Sequence, residues 1–105
     1  MLDIGFIGHV AAGGRLPLAI QCRNSQFKPT SPIAAPSYTI YPDGFSSSIA
    51  TGSLGASDTD GKTGFRTGSL EVATATYSAG ELYTILFEYT ASGQARSVIG
   101  TFLVD

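Results

Sequence analysis

The residues best suited to chemistry in this chain are one histidine and one cysteine. His9 and Cys22 are the only residues of their types, and a cysteine thiolate beside a histidine base, with an aspartate to orient the base, forms a nucleophilic pair. Cys22 alternates in phase with Leu18 and Ile20, which favours a small buried thiol in a strand. His9 borders an Ala-Gly loop, where a surface or interface position is expected. One histidine and one cysteine provide no Cys/His metal set and no intrachain disulfide.

Two loop motifs between positions 55 and 69 could hold a ligand. Residues 55–63, GASDTDGKT, are similar to a phosphate-binding loop, but five residues separate their glycines where that motif has four, and no helical pattern follows. Residues 58–61, DTDG, begin like a calcium loop, although its twelfth position falls on Ser69 instead of a bidentate glutamate. An irregular Ca²⁺ site and a solvated turn both stay open here, and the solvated turn is favoured.

Aromatic faces that stack on sugars are a third possibility. The chain has five tyrosines: Tyr38, Tyr41, Tyr77, Tyr83 and Tyr89. Tyr83 and Tyr89 lie within strand-like runs and are expected in the core, whereas Tyr77 precedes a Ser-Ala-Gly turn and could take either position. The glutamates at positions 71, 81 and 88 share no spacing typical of a paired acid and base. We therefore expect no enzyme and no cofactor.

Charge and composition narrow the class of partner. The 105 residues carry a net charge of −2, and the six cations are scattered: Arg15, Arg23, Lys28, Lys62, Arg66 and Arg96. The chain has no basic cluster and no apolar run long enough to span a bilayer, so we expect neither a nucleic-acid nor a membrane partner. Its first residues lack the basic segment of a secretory signal, which together with the single cysteine predicts a soluble product matured in a reducing compartment.

The clearest structural signal is a β-hairpin in the last third of the chain. Residues 82–90 and 95–104 are rich in β-branched and aromatic types, and Ser92-Gly93 between them can supply a turn with positive φ. A two-residue turn fixes the register. One face then holds the pairs Phe87 with Val98, Ile85 with Gly100, Tyr83 with Phe102 and Tyr89 with Arg96. The other face holds Leu82 with Leu103, Thr84 with Thr101, Leu86 with Ile99 and Glu88 with Ser97.

The first of these faces is predicted to point into the core, with Phe87 at its centre. The second is too apolar for water alone, so it is covered by a second layer of the same chain or by another molecule. Both explanations stay open.

The remaining chain predicts further short strands at residues 2–8, 15–23, 36–41, 46–51 and 65–75. Thirteen glycines and five prolines suit tight turns between strands, with residues 24–36 as an ordered loop, Pro42-Asp43-Gly44 and Asp60-Gly61 as turns, and Gly68 as a possible bulge. Leu70 and Val72 are expected to point inward. Residues 1–14 are an N-terminal arm or edge strand, and residues 15–105 the main domain. We predict an all-β fold, an antiparallel two-layer β-sandwich of about seven strands, immunoglobulin-like or jelly-roll.

Two segments resemble immunoglobulin-like and fibronectin-like sandwich modules. They are PSYTIYPDG at residues 36–44 and YSAGELYTILFEYTASG at residues 77–93. The resemblance implies that Tyr83 forms a tyrosine corner, in which the phenol binds the backbone a few residues upstream.

A small sandwich with one cysteine and no secretory signal also resembles the small structural proteins of tailed bacteriophages. This resemblance implies a non-enzymatic virion protein, assembled in the host cytoplasm, most often a capsid decoration (cement) protein that stabilises subunit contacts. Tail, baseplate or fibre components and receptor- or carbohydrate-binding modules are the alternatives. The implied partners are the major capsid protein, other virion proteins or further copies of the chain. The expected interface residues are Leu2, Ile4, Phe6, Ile7, Leu82, Leu86, Ile99 and Leu103.

Overall fold

The computed structural model of the protein describes residues 3–42 and 47–105, with side chains described from residue 7 onward. Its seven strands are β1 (Asp3–Val10), β2 (Arg15–Gln21), β3 (Ser37–Tyr41), β4 (Ala50–Ser53), β5 (Phe65–Glu71), β6 (Leu82–Ala91) and β7 (Gln94–Val104). The only helical element in this part of the chain is a 3₁₀ turn at Thr59–Gly61. The prediction of an all-β fold is confirmed.

The strands form two sheets. One has the order β1-β7-β6-β3-β4 and the other contains β2 and β5. Strands β3, β6 and β7 of the larger sheet and β2 and β5 of the smaller sheet occupy the positions of C, F, G, B and E in an immunoglobulin sandwich, and β4 lies where variable domains add a strand beside C. This seven-stranded order is immunoglobulin-like and differs from the eight-stranded jelly-roll.

The sandwich is not wholly antiparallel, because β1 pairs parallel with β7. Adjacent antiparallel strands arise readily from hairpins, whereas a parallel pair requires a long crossover. Here the crossover is the whole remainder of the chain, which separates the first strand from the last. The amino-acid sequence of β1 alone did not indicate that β7 would be its partner strand.

The β6–β7 hairpin has the predicted register at all eight predicted pairs. Ser92 and Gly93 both have positive φ, 51° and 79°, as a two-residue turn between twisted strands requires. The prediction that Phe87 faces inward is confirmed, since only 2% of its surface is exposed.

The core lies between the two sheets. From the larger sheet it takes Ile40, Tyr83, Ile85, Phe87, Tyr89, Phe102 and Val104, and from β2, β5 and the adjoining loops Leu16, Leu18, Ile20, Cys22, Leu54, Leu70, Val72 and Tyr77. The predictions of inward positions for Cys22, Leu70, Val72, Tyr83 and Tyr89 are confirmed. The tyrosine corner is also formed, because the backbone N–H of Ser78 donates a 2.7 Å hydrogen bond to the Tyr83 hydroxyl.

Several boundaries differ from the predictions. Strand β4 begins at Ala50 instead of residue 46, and Asp43 and Gly44 of the predicted turn lie outside the described residues. The prediction of a bulge at Gly68 is wrong, since β5 pairs with β2 without a register shift. A Cβ at this position would lie 3.0 Å from Cδ2 of Leu54, so a larger residue there requires the Leu54 side chain to shift by a few tenths of an ångström. The irregularity is instead in β1, between Phe6 and Gly8.

Candidate functional site

The larger sheet has an outer face that points away from the smaller sheet. Residues of β6 alternate strictly, so with Tyr83, Ile85 and Phe87 buried inside, Leu82 and Leu86 point outward. Their register partners on β7 are Leu103 and Ile99. We call the patch formed by Leu82, Leu86, Ile99 and Leu103 the outer apolar patch.

The solvent exposure of the side chains in the outer apolar patch increases from its centre to its end. Ile99 is 6% exposed, Leu86 and Leu103 are half-buried, and Leu82 is 44% exposed. Ile99 is covered most because β7 has a strand on each side, with Leu86 on β6 opposite it and Ile4 on β1 in register. Leu82 lies at the start of β6, and no part of the chain that the structure describes encloses it.

The surroundings of this patch carry mostly hydroxyls. Outward positions on β3, β4, β6 and β7 include Thr39, Thr51, Thr84 and Thr101. The ionisable carboxylates and cations that border it are Glu88 on β6 and the exposed His9–Asp105 pair, since His9 on β1 is the register partner of Leu103. A broad face with few charges is unusual on a small protein of 14 formally charged residues. Low charge and exposed leucines are typical of a face that contacts another protein.

The N-terminal residues predicted for the interface belong to the edge of the same sheet. Leu2 lies outside the described residues. Ile4 and Phe6 lie in β1, where their backbones pair with Ile99 and Thr101. Ile7, at the irregularity of β1, is 36% exposed. Residues 3–10 thus form an edge strand of the larger sheet.

The structure does not bring His9 and Cys22 together. The exposed His9 ring places Nδ1 3.0 Å from Oδ1 of Asp105. Cys22 follows β2 at the other end of the sandwich, separated from the His9 end by the seven residues of that strand, roughly 20 Å of extended chain. Burial raises the pKa of the Cys22 thiol to about 11, although the nearby Arg66 guanidinium opposes this. Cys22 is therefore a neutral thiol in the core.

The loop that was compared with phosphate and calcium motifs is tied to a buried arginine instead. Arg66 is 4% exposed, and its Nε donates to Oδ1 of Asp58 at 3.1 Å while its Nη1 donates to the carbonyl of Gly55 at 3.0 Å. Asp58 also accepts bonds from the Ser31 hydroxyl and the Gly64 N–H. Within residues 3–42 and 47–105, no group of three or more His, Cys, Asp or Glu could hold a metal ion.

The hydrogen bond from Ser31, with those from Arg66 and Gly64, holds the pKa of Asp58 below its usual value although partial burial opposes this. Its carboxylate is thus occupied within the fold. Arg66 is one of the six scattered cations of the sequence, yet it lies in phase with the inward-facing Leu70, four positions later on the same strand. That alternation was the available signal for an inward arginine.

The tyrosines do not form a stacking platform. Tyr77, Tyr83 and Tyr89 are buried, and Tyr38 packs edge-on against Phe87, with ring centroids 6.5 Å apart. Two tyrosine hydroxyls bind the backbone, whereas the buried Tyr77 hydroxyl has no hydrogen-bond partner among the described residues.

In the part of the chain that the structure describes, the protein is a seven-stranded β-sandwich whose larger sheet presents an apolar outer face. No protein-family model, curated protein sequence or solved structure matches the chain. No helix in the described part of the chain is long and apolar enough to cross a membrane.

Proposed function

We propose that this protein is a non-enzymatic assembly protein that binds other protein subunits through the outer face of its larger sheet. The observation that supports this function is the outer apolar patch, where Leu82 is 44% exposed beside half-buried Leu86 and Leu103. Burying an exposed leucine side chain contributes about 1.5–3 kcal/mol. That range applies to a fully exposed side chain, and because Leu82 is 44% exposed and Leu86 and Leu103 are exposed less, each leucine gains less than about half of it on further burial.

The particular form that we propose is a capsid decoration protein of a tailed bacteriophage virion. The support is the resemblance to small virion sandwiches, together with the low charge of the outer face and the position of β1 at the sheet edge. An edge strand presents unpaired backbone groups to which a neighbouring chain can add. The partner is the major capsid protein or a further copy of this chain. A tail, baseplate or fibre component is the alternative within the same class.

The contact is tested by comparing Leu82→Glu with a matched variant on the opposite side of the molecule. Ala56→Glu is the control, since Ala56 is exposed in the loop that packs on β5 of the smaller sheet and receives the same charge. Both variants are expected to fold, because both sites already face water. Leu82→Glu is expected to lose association in light-scattering and particle co-sedimentation assays, while Ala56→Glu keeps it. Equal association of both variants would contradict the proposed contact.

The position in a virion is tested by quantitative mass spectrometry of purified particles. A decoration protein is expected at hundreds of copies per particle, in a constant ratio to the major capsid protein. A few copies per particle would assign the protein to the tail or fibre. Its absence from particles would overturn the virion proposal while leaving the Leu82→Glu comparison valid for another assembly.

A further inference from the structure

A tight turn at residues 24–28 projects an aromatic ring from one end of the sandwich. The backbone N–H of Phe27 donates to the Asn24 carbonyl at 3.0 Å, the Asn24 N–H donates to the Lys28 carbonyl at 3.0 Å, and Arg23 pairs with Pro29. The Asn24 side chain accepts two further bonds, from the N–H groups of Gln26 and Lys28. The loop of three residues is therefore held firmly in one conformation.

Phe27 occupies a loop position at which glycine is the usual residue. The third residue of a three-residue hairpin loop takes the left-handed conformation, which glycine adopts without cost. Here a phenylalanine takes it, with φ of 61°, and its side chain is 62% exposed. A bulky residue in this conformation is an outlier, and such outliers concentrate at ligand-binding segments. Neither local backbone preference nor core packing explains a phenylalanine at this position.

Phe27 instead positions two arginines. The Arg23 Nη1 donates to the Phe27 carbonyl at 2.7 Å, and the guanidinium of Arg96, on β7, lies 5.5 Å from the centre of the Phe27 ring. At this distance the guanidinium makes a cation–π contact with the ring, and its N–H groups are donors that can bind an oxyanion. Arg23 is held further by Tyr89, whose hydroxyl accepts from the Arg23 N–H and donates to its carbonyl.

These side chains line a groove of about 300 Å³ between β2 and β7. Gln21, Arg23, Phe27, Arg96 and Ser97 are part of its wall, and no carboxylate is among its lining residues. A cavity with two guanidinium groups and no acid is notable in a chain of net charge −2. We call it the arginine groove. A second depression, of about 360 Å³, adjoins it on the other side of Arg96.

We propose that the arginine groove binds an acidic saccharide, with its carboxylate on the two arginines and its ring against Phe27. Guanidinium groups bind carboxylates through paired, charge-assisted hydrogen bonds. Arg96 covers one face of Phe27, and the opposite face of this 62% exposed side chain is the one that stacks on the apolar face of a sugar. Gln21 supplies an acceptor for a sugar hydroxyl. The Gln21 side chain donates through Nε2 to the carbonyls of Cys22 and Thr63, which leaves its amide oxygen as the acceptor.

The groove suits a sugar ring better than a bare phosphate. A phosphate has no apolar face to cover Phe27 and, when ionised, few hydroxyls to donate to Gln21. The volume is at the small end of the range of about 300–1,000 Å³ for ligand pockets, which fits a single ring better than a folded peptide. The groove lies at the β6–β7 turn end and is separate from the outer apolar patch, so this inference goes beyond the proposed assembly function.

The test is an NMR titration of the intact chain with galacturonic acid, glucuronic acid and N-acetylneuraminic acid, each beside its methyl ester. The ester keeps the ring and hydroxyls but removes the negative charge. We expect shifts at the amides of Arg23, Phe27 and Ser97 with at least one acid, at least about tenfold weaker binding of its ester, and weaker binding at raised salt. Absence of these shifts with all three acids, equal binding of the esters, or an equal response to inorganic phosphate would overturn the proposal.

Two variants localise the binding. Phe27→Gly removes the ring but suits the left-handed backbone, so its melting temperature is expected to stay equal or rise while binding of the acid is lost. Arg96→Gln is expected to weaken binding about tenfold or more. Its control, Arg15→Gln, makes the same charge change at an exposed arginine in the first position of β2 and is expected to bind normally. Normal binding by Phe27→Gly, with the fold retained, would overturn the proposal.

Discussion

Three buried tyrosines allow the contribution of individual hydroxyl hydrogen bonds to the free energy of unfolding to be measured. Replacing each tyrosine with phenylalanine removes one hydroxyl and leaves the ring in place. The Tyr83 hydroxyl accepts one bond, from the Ser78 N–H at 2.7 Å. The Tyr89 hydroxyl makes two, at 3.0 and 3.3 Å, with the backbone of Arg23. The Tyr77 hydroxyl makes none with the described residues.

The expected changes in the free energy of unfolding follow from these bonds. An average intramolecular hydrogen bond contributes about 0.5–1.5 kcal/mol net, so Tyr83→Phe is expected to cost about 1 kcal/mol. Tyr89→Phe is expected to cost about 1–2 kcal/mol, because two backbone groups lose their partner and the second bond is long. A buried hydroxyl without a partner costs about 1–3 kcal/mol. Tyr77→Phe removes this cost and is therefore expected to leave stability unchanged or to raise it by up to about 3 kcal/mol.

The assay is urea unfolding followed by far-UV circular dichroism, since the chain has no tryptophan and the variants alter its tyrosines. The order of midpoints is expected to be Tyr77→Phe at or above the parent, then Tyr83→Phe, then Tyr89→Phe, with constant slopes. A loss of more than about 1 kcal/mol in Tyr77→Phe would show that its hydroxyl is satisfied. An unchanged midpoint in Tyr83→Phe would show that the tyrosine corner contributes nothing to stability.

Three further predictions concern the core and the buried ion pair. Phe87→Ala is expected to cost about 3–5 kcal/mol in chemical denaturation, and a loss below about 1 kcal/mol would contradict its central position. Cys22 is expected to resist a thiol reagent at pH 8 until urea is added, because burial raises its pKa to about 11; rapid labelling of the folded protein would contradict this. The lowered pKa of Asp58 stabilises the fold fully above its ordinary value of 3.8, and this contribution is lost as the pH falls through the lower folded value. Asp58→Asn is thus expected to make the melting temperature fall less steeply with pH below about pH 4, whereas an unchanged slope would show that Asp58 does not contribute to acid unfolding.

The outer apolar patch was partly predictable from sequence. Alternation and a two-residue turn place Leu82, Leu86, Ile99 and Leu103 on one face, since both signals act within a few residues of each other. Their unequal exposure was not predictable. Ile99 is covered because β1 pairs beside it, and this contact joins the two ends of the chain.

The arginine groove was not predictable from sequence. In the sequence, Arg23 is an arginine at the end of a predicted strand. Phe27 is an apolar residue in a proline-rich loop, and Arg96 is one member of a predicted hairpin pair. The Asn24 turn contained a local signal, because its amide can cap such a loop. The approach of Arg96 to the Phe27 ring depends on how β7 packs beside β2, and nothing in either segment alone specifies it.

The strands of the hairpin, their register and the buried face of β2 follow from the residues alone, because side-chain alternation and a turn with positive φ are properties of short segments. Three arrangements arise only in the packed fold: β1 runs parallel to β7, Arg66 points inward to Asp58, and two arginines far apart in the chain meet at Phe27. These arrangements depend on which faces of separate segments pack together. The free energy of such packing comes from contacts between residues far apart in the chain, so these arrangements cannot be predicted from any single segment.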